Sequence, residues 1–327
     1  MIEFQNVTKV YEDGTKAIKG INLTIPKGKL VALIGPSGCG KTTTMKMINK
    51  LIAPSGGKIL IDGKDISDTD EVELRRNIGY VIQRIGLLPH MTIEENISLI
   101  PRLKGWKKEE YEGRVDELLN LVGLEPDIYK KRYPLELSGG QQQRVGVIRA
   151  LAAEPPIILM DEPFSALDPI SREQLQDELK SIQNTIHKTI VFVTHDIDEA
   201  LKIADEIAVM RDGEIEQMAT PRELLMDPAN EFVRAFIGEN RLKDHQTHKQ
   251  VMNIMRDDGD GFHMMLEEEE YSLIPFDSSI KEAASLLLTT GKPYLMVMKD
   301  DRKIGIISSS DILRTVASEG YREENTL

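Results

Sequence analysis

An octapeptide near the start of the chain reads Gly35-Pro36-Ser37-Gly38-Cys39-Gly40-Lys41-Thr42. It matches the phosphate-loop pattern G-x-x-x-x-G-K-[ST] at every specified position. The octapeptide follows the apolar run 30–34, which reads as a strand, and leads into residues 43–48, which read as a helix. This strand–loop–helix setting distinguishes a working phosphate loop from a chance match. Backbone N–H groups at the glycines and the helix start can converge on a polyphosphate, and the helix dipole favours its negative charge.

Individual positions of this loop have different predicted roles. Lys41 would reach the β- and γ-phosphates as a point charge, and the Thr42 hydroxyl would complete the shell of a Mg²⁺ ion. Thr43 continues the same nucleotide-binding segment. Cys39 occupies a variable position and is counted with the loop, but no chemistry is assigned to it. The sequence therefore predicts that the chain binds a nucleoside triphosphate together with Mg²⁺.

Length and composition bound the remaining possibilities. The chain has 327 residues, so two or three units are expected. Its formal net charge of −13 argues against nucleic acid as a partner, because neutralising phosphates needs clustered Lys and Arg. A lone cysteine suits a reducing compartment. Neither a secretory signal nor a run of ~20 apolar residues that could cross a bilayer is found. We therefore expect a cytosolic chain whose membrane role would come through a partner.

Two adjacent carboxylates follow a second apolar run. Residues 157–160 read as a buried strand, and Asp161 and Glu162 come directly after them. Asp161 is suited to hold Mg²⁺ through water, and Glu162 is placed to orient or deprotonate the water that attacks the γ-phosphate. An Asp-Glu pair alone is weak evidence. Its position at the end of an apolar strand, after a phosphate loop, makes it strong evidence for nucleotide hydrolysis.

A third motif, Leu137-Ser138-Gly139-Gly140-Gln141, resembles the signature sequence of ATP-binding cassette (ABC) proteins, which other phosphate-loop enzymes lack. Its serine hydroxyl and glycine N–H groups at a helix start would form a second anion site. The resemblance implies that this site faces the γ-phosphate held by a second subunit. Two ATP molecules would then be sandwiched in a head-to-tail homodimer.

Four further residues match motifs of the same family. The resemblance implies that Gln83 senses Mg²⁺ and the attacking water, and that His195 contacts the γ-phosphate. It places Asp168 in the loop that crosses the dimer interface, and it makes Tyr11 the aromatic residue that stacks on adenine. The predicted catalytic residues are Glu162, His195 and Gln83, and the predicted metal ligands are Thr42, Gln83 and Asp161.

The rest of the sequence indicates which class of ABC protein this chain resembles. One cassette, without a long coiled-coil insertion or a fused membrane domain, favours the separate ATPase subunit of an importer. Residues 79–97 resemble ATPase subunits that import quaternary amines such as glycine betaine, carnitine or choline. This resemblance implies integral-membrane permease subunits, an extracellular substrate-binding protein, and a location on the inner face of the cell membrane. Two alternatives stay open: an importer ATPase for amino acids or another small solute, and a non-transport cassette ATPase.

The composition changes after Gly238. Residues 239–250 read as a linker and residues 318–327 as a tail. Between them, residues 251–317 resemble a cystathionine-β-synthase (CBS) type module, most clearly at Gly305-Ile306-Ile307-Ser308-Ser309-Ser310-Asp311. The resemblance implies adenine nucleotides or cyclic di-AMP as ligands. Related ATPases usually carry two such modules, whereas one is found here. It could pair with the copy on the other subunit, or it could be a remnant without a ligand.

The predicted fold class is accordingly α/β. Residues 1–238 are expected to form a P-loop ATPase domain of the cassette type, with a helical insertion at about 92–151. A small α/β domain of the CBS type would follow it. The predicted reaction is the hydrolysis of ATP to ADP and phosphate.

Overall fold

The computed structural model describes residues 1–82, 86–165, 167–242, 251–257, 270–299 and 302–314. The chain divides into two compact units, Met1–Ile237 and Gly238–Leu327. The elements of the first unit are β1 (Ile2–Val10), β2 (Lys16–Ile25), β3 (Leu30–Ile34), α1 (Lys41–Ile48), β4 (Gly56–Ile61), β5 (Lys64–Asp65), α2 (Glu71–Arg76), β6 (Ile78–Val81), α3 (Ile93–Leu103), α4 (Lys108–Leu121), α5 (Pro126–Tyr129), α6 (Gly139–Leu151), β7 (Ile157–Asp161), α7 (Pro169–Ile186), β8 (Thr189–Val193), α8 (Ile197–Ile203), β9 (Glu206–Arg211), β10 (Glu214–Ala219), α9 (Pro221–Met226) and α10 (Glu231–Ile237). Those of the second unit are α11 (Val251–Ile254), β11 (Arg256–Asp257), β12 (Tyr271–Pro275), α12 (Ile280–Thr290), β13 (Tyr294–Lys299) and β14 (Arg302–Ser308).

A six-stranded sheet with the order β10-β9-β3-β8-β7-β6 forms the centre of the first unit. Every residue of β3, β7 and β8 is buried, which explains why their sequences are continuous apolar runs. β3 runs parallel to β8 and β9, and β7 runs parallel to β6 and β8. Parallel strands end at the same edge of a sheet. The segments that follow β3, β7 and β8 therefore meet there, and these segments carry the phosphate loop, the two carboxylates and His195.

A second sheet, with the order β2-β1-β4-β5, is antiparallel. Its apolar face shares one core with the central sheet and with α1, whose Met45, Met47 and Ile48 are fully buried. This packing fixes the axis of α1 between the two sheets. It also places the end of β1, and with it Tyr11, beside the start of α1.

The helical region predicted from residue 92 consists of several helices. Thr92 caps α3 in a capping box with Glu95, because each side chain accepts the other residue's backbone N–H, at 3.2 and 2.8 Å. Val115, Leu118 and Leu119, which recur at helical spacing, form the buried face of α4. This helix ends at Leu121, two residues before Gly123. Pro126 and Pro134 then begin short turns of helix before α6.

The second unit contains a four-stranded sheet with the order β11-β14-β13-β12, in which β12 and β13 are parallel. Buried residues of α12, such as Ala283 and Leu287, pack on Leu295 and Val297 of β13. Apolar residues at helical spacing in 280–287 lie on α12, and the apolar runs 294–298 and 304–307 lie on β13 and β14. Residues 309–314 are helical, and Ser308, directly before them, donates a hydrogen bond from its hydroxyl to the Asp311 carboxylate at 2.6 Å.

Several predicted features lie outside the described residues: Gln83, most of the linker, residues 315–317 and the tail. The assignment of the second unit as a CBS-type module stays a prediction. Within the described ranges, no helix combines the length and the apolar character that a membrane span requires.

Candidate functional site

Helix α1 begins without a side-chain cap. Its N-cap is Gly40, with φ of 106°, and no side chain accepts a hydrogen bond from the first turn. The N–H of Thr44 donates to the Gly40 carbonyl at 2.8 Å, so the N–H groups of residues 41–43 precede the first helical bond. Other helices do have a capping side chain: Asp70, Thr92, Ser138, Asp168, Asp196, Thr220 and Ser279. The start of α1 therefore has the free donors of an anion site.

Two glycines of the loop are required by close packing. A Cβ atom on Gly35 would lie 2.1 Å from the Met210 carbonyl oxygen, and one on Gly40 would lie 2.8 Å from the Ala17 carbonyl oxygen. Both clashes involve backbone, which cannot move aside cheaply. At Gly38, by contrast, no atom lies within 4 Å of such a Cβ, so this face of the loop borders open space. Packing therefore fixes the loop at Gly35 and Gly40, while its face at Gly38 is open to a phosphate group.

The Lys41 side chain folds over the loop. Its Nζ donates to the carbonyl oxygens of Gly35 and Pro36, at 2.7 and 2.9 Å, and lies 3.8 Å from Cys39 Sγ. The residue is only 7% exposed. Because these partners are loop atoms and none is a carboxylate, the ammonium charge is available to an anion. A nucleotide phosphate fits this arrangement of charge and backbone donors.

The two adjacent carboxylates after β7 have different partners. Asp161 accepts a hydrogen bond from the Thr42 hydroxyl at 3.0 Å, although the two residues are 119 positions apart. Burial raises the pKa of Asp161, and the bond from Thr42 acts in the opposite direction. One carboxylate and one hydroxyl fit Mg²⁺, which usually keeps several waters and takes the rest of its shell from substrate phosphates. No larger cluster of metal-ligating side chains is found among the described residues.

Glu162 faces a different direction because its backbone leaves the strand. The residue has a left-handed conformation, with φ of 46°, and its N–H donates to the Val193 carbonyl of β8 at 3.0 Å. Its Oε1 lies 3.4 Å from His195 Nδ1. The Glu162 side chain is mostly buried, whereas that of His195 is 61% exposed. A carboxylate that can accept a proton is thus paired with an imidazole that solvent or substrate can reach.

A cavity of about 570 Å³ brings most of the predicted site together. Its lining includes Tyr11, Ser37, Gly38, Gly40, Lys41, Thr42, Thr43, Glu162 and His195. The Tyr11 hydroxyl lies 3.2 Å from Thr43 Oγ1, and its ring is partly exposed, as a stacking surface must be. Four predicted residues of the loop and of β7 are not among the lining: Gly35 and Cys39 are buried in the loop, Pro36 is exposed, and Asp161 is joined to the lining residue Thr42 by a hydrogen bond.

The lining also includes residues that the sequence analysis missed: Thr15, Lys16, Ala17, Lys19, Asp212 and Gly213. They come from β2, from the residue before it, and from the turn between β9 and β10. The Lys19 N–H of β2 donates to the Gly213 carbonyl of this turn at 3.0 Å. The sequence did contain an indication of these lining residues. Asp212-Gly213 is typical of a turn, and Lys16 and Lys19 lie close together on one strand. Their position beside the phosphate loop depends on sheet pairing, which a local pattern does not reveal.

The signature residues and Asp168 are not part of this cavity lining. Ser138 caps α6 in a capping box with Gln141 and is exposed, as is Gly139. A Cβ on Gly140 would lie 3.2 Å from Ser171 Oγ, so the signature adjoins the start of α7. Asp168 caps α7 and accepts from the N–H groups of Ile170 and Ser171, both at 3.1 Å. These residues form a second, exposed group, and we refer to it as the signature surface.

Comparison with known proteins gives a consistent result. The family model described as ABC transporter matches residues 18–165. The choline transport ATP-binding protein OpuBA of Bacillus subtilis is 53% identical over 307 residues, which cover 92% of this chain and 76% of that protein. The glycine betaine/carnitine/choline transport ATP-binding protein OpuCA of the same species is 60% identical over 257 residues, covering 77% and 67%. The carnitine transport ATP-binding protein OpuCA of Listeria monocytogenes is 61% identical over 242 residues, which span 74% of this chain and 61% of the relative.

Solved structures of similar cassettes match about 68 to 75% of the chain. The dimeric post-hydrolysis structure of the ATP-binding cassette MJ0796, bound to ADP and Pi, has a TM-score of 0.61 and 39% identity, covering 68% of this chain and 99% of that one. CbiO1 from Clostridium perfringens, part of an ABC transporter complex, has a TM-score of 0.64 and 30% identity, covering 75% and 97%. The fold, the nucleotide cavity and these similarities lead to one assignment. The chain belongs to the ABC transporter family, as one of its ATP-binding, ATP-hydrolysing proteins.

Proposed function

We propose that the chain powers the import of quaternary amine osmoprotectants, such as glycine betaine, carnitine or choline, through separate membrane permease subunits. The observation that carries the ATPase part is the meeting of the uncapped α1, the Thr42–Asp161 pair and the Glu162–His195 pair at one sheet edge. The amine part is supported by relatives named for choline, glycine betaine and carnitine transport, at 53 to 61% identity.

Each predicted residue has a place in the proposed reaction. Tyr11 stacks on adenine, and Lys41 with the free N–H groups of α1 holds the phosphates. Thr42, Asp161 and Gln83 would hold Mg²⁺, which would neutralise phosphate charge during the reaction.

The remaining groups act on the water and the phosphate. Glu162 orients the attacking water and accepts its proton, because a carboxylate within hydrogen-bond reach of the water can act as a general base. His195, held 3.4 Å from Glu162, would donate to the γ-phosphate from its exposed ring.

The signature surface suits contact with a second copy of the chain. Ser138, Gly139 and Asp168 lie outside the cavity lining, so they would complete the nucleotide site of a partner subunit. The dimeric form of the similar cassette MJ0796 supports this arrangement. Closure of such a dimer around ATP would shift the permease between conformations, because a ligand favours the state that binds it better. The chain would then lie at the inner face of the cell membrane, and an extracellular binding protein would deliver the amine.

The second unit is proposed to bind an adenine nucleotide or cyclic di-AMP. Its Asp311 already accepts hydrogen bonds from the Ser308 hydroxyl at 2.6 Å and from Arg256 Nη2 at 2.7 Å. A ribose hydroxyl would have to replace one of these bonds or share the carboxylate. Titration of the full chain with cyclic di-AMP, and with its Asp311→Ala variant, tests this part of the proposal.

Uptake of labelled glycine betaine, carnitine and choline under hyperosmotic stress tests the transport function. The comparison is between cells with the wild-type chain and cells with Glu162→Gln, in a strain without redundant carriers. We expect the variant to lose uptake of at least one amine. Loss of amino-acid uptake instead would favour the first alternative. Unchanged uptake of every solute, together with a soluble partner that stimulates hydrolysis, would favour a non-transport ATPase.

A further inference from the structure

The turn that carries His195 is held by a buried carboxylate. The Thr194 hydroxyl accepts the N–H of Asp196 at 3.0 Å and donates to Glu199 Oε2. Glu199 lies on α8 and is only 6% exposed. The residues on both sides of His195 are therefore fixed through one side chain. Burying a carboxylate without partners costs free energy, so the buried position of Glu199 needs an explanation.

Arg172 extends this network to the loop before α7. Its Nη2 donates to the Leu167 carbonyl at 3.2 Å, directly before Asp168. Its Nη1 lies 4.0 Å from Asp196 Oδ2, and its Nε lies 3.8 Å from Glu199 Oε1. One guanidinium thus donates a hydrogen bond to the residue before Asp168 and lies at ion-pair distance from two carboxylates beside His195, while its Nε has no hydrogen-bond partner among the described residues. A planar fork of donors can reach several acceptors at once, which a lysine ammonium does less well.

We infer that Arg172 and Glu199 are positioning residues for ATP hydrolysis, which together couple the placement of His195 to that of Asp168. Neither residue lines the nucleotide cavity, so neither touches the substrate there. Burial raises the pKa of Glu199, while Thr194 and Arg172 stabilise its ionised form. The inference rests on the roles proposed above for His195 and Asp168.

The same pair of helices offers a matched control. Lys202 of α8 lies 2.8 Å from Asp177 Oδ1 and 3.7 Å from Glu173 Oε1, both on α7, and these ion pairs involve neither Asp196 nor Glu199. Lys202→Met therefore breaks an ion pair between the same helices. If Arg172 and Glu199 only hold α7 against α8, all three substitutions should have similar effects.

The test measures kcat and KM for ATP in the full-length chain for Glu199→Gln, Arg172→Met, Arg172→Lys and Lys202→Met. Glu199→Gln keeps an acceptor for Thr194 but removes the charge that faces Arg172. We expect it and Arg172→Met to lower kcat about 10- to 100-fold, the range for a displaced catalytic group. KM should stay near the wild-type value, because Tyr11 and Lys41 are untouched. Arg172→Lys should fall between wild type and Arg172→Met, and Lys202→Met should keep the wild-type kcat.

A double variant, Glu199→Gln with Arg172→Met, should be no slower than either single variant, because both break one bridge. Wild-type kcat in both single variants, an equal loss in Lys202→Met, or multiplied losses in the double variant would each overturn the inference. His195→Ala separates this result from the proposed function. A normal rate in His195→Ala removes the role of His195 itself, whereas a slow His195→Ala beside a normal Arg172→Met removes only the coupling.

Discussion

At the level of single residues, the backbone at Glu162 separates two neighbouring carboxylates. Asp161 ends β7 and bonds to Thr42, while Glu162 turns into the left-handed region and faces His195. Such a conformation costs a non-glycine residue about 1–2 kcal/mol. The strain is compatible with a functional position, because strained backbone is often found where a side chain must be aimed.

Glu162→Gln should keep nucleotide binding and lower turnover by about 10²–10⁴, the typical contribution of a general base. Phosphate release and equilibrium nucleotide binding measure the two effects separately. Glu154→Gln is the matched control, because Glu154 also has a positive φ, of 51°, but does not line the cavity. Near-normal turnover in Glu162→Gln would rule out the proposed role.

Asp161→Asn should stabilise the nucleotide-free chain and impair hydrolysis. Burial raises the pKa of Asp161, so the fold disfavours its ionised form. This cost to the free energy of folding is fully present above the raised pKa of Asp161. It disappears as the pH falls below the pKa that Asp161 has in the unfolded chain. We expect a gain of about 0.5–2 kcal/mol at neutral pH, the usual size when a functional group is traded for stability.

Thermal melts of Asp161→Asn and wild type, at about pH 7 and about pH 4, would check this prediction. The difference between the two chains should be largest at neutral pH and should shrink in acid. Thr42 can still donate to the asparagine oxygen, so the loss of that hydrogen bond should not obscure the result. A lower melting temperature for the variant at neutral pH would contradict the expectation.

At the level of elements, the cap of α6 also belongs to the signature surface. Ser138→Arg should leave ATP binding by the monomer intact and prevent ATP-driven dimerisation, because the exposed cap would face the partner's γ-phosphate. Light scattering with MgATP measures the association. Ser138→Ala separates the loss of the helix cap from the effect of the added arginine side chain. It removes the cap, at a cost of about 0.5–2 kcal/mol in stability, without adding bulk. Dimers of Ser138→Arg under these conditions would refute the predicted interface.

The sequence predicted those elements whose signals are local. The run 30–34 is apolar throughout, and it coincides with β3 because a strand buried on both faces needs no alternation. The order of the strands, with β3 between β8 and β9, depends on pairings between distant segments. The same limit applies to the site. The phosphate loop is one contiguous motif, whereas the approach of Arg172 to Glu199 depends on how two helices pack.

The family resemblance supplied part of the long-range information that local sequence patterns lack. It placed His195 at the γ-phosphate, and the structure then shows that His195 lies beside Glu162, a contact that no local pattern indicates. It did not indicate Lys16, Lys19 or Asp212, which reach the cavity from β2 and from the β9–β10 turn. Physical reasoning from spacing alone would have found the loop and the carboxylates but left their meeting point open.

At the level of the whole molecule, each unit has its own core. The first core joins the two sheets through α1, and the second joins α12 to β13 and β14. Leu295→Ala, at a fully buried position of β13, should destabilise the second unit by about 2–5 kcal/mol. Basal ATP hydrolysis should be unchanged, because the nucleotide cavity is lined by residues of the first unit.

Limited proteolysis together with an ATPase assay would test this independence. The control is Leu33→Ala, at an equally buried position of β3, which should impair nucleotide binding as well as stability. Loss of hydrolysis in Leu295→Ala would show that the second unit supports the first, and it would favour a regulatory connection between them.

The missing cap of α1 has a consequence for thermodynamic linkage. A helix without a capping side chain lacks about 1 kcal/mol of stability that a capping Ser, Thr, Asp or Asn would add. A phosphate group would provide the missing acceptor, so the substrate would complete a secondary structure that the polypeptide leaves unfinished. A ligand that binds only the folded state adds about 2.7 kcal/mol at a hundred times its Kd. The melting temperature of the first unit should therefore rise with the logarithm of nucleotide concentration. The folded protein would be least stable when cellular nucleotide is depleted.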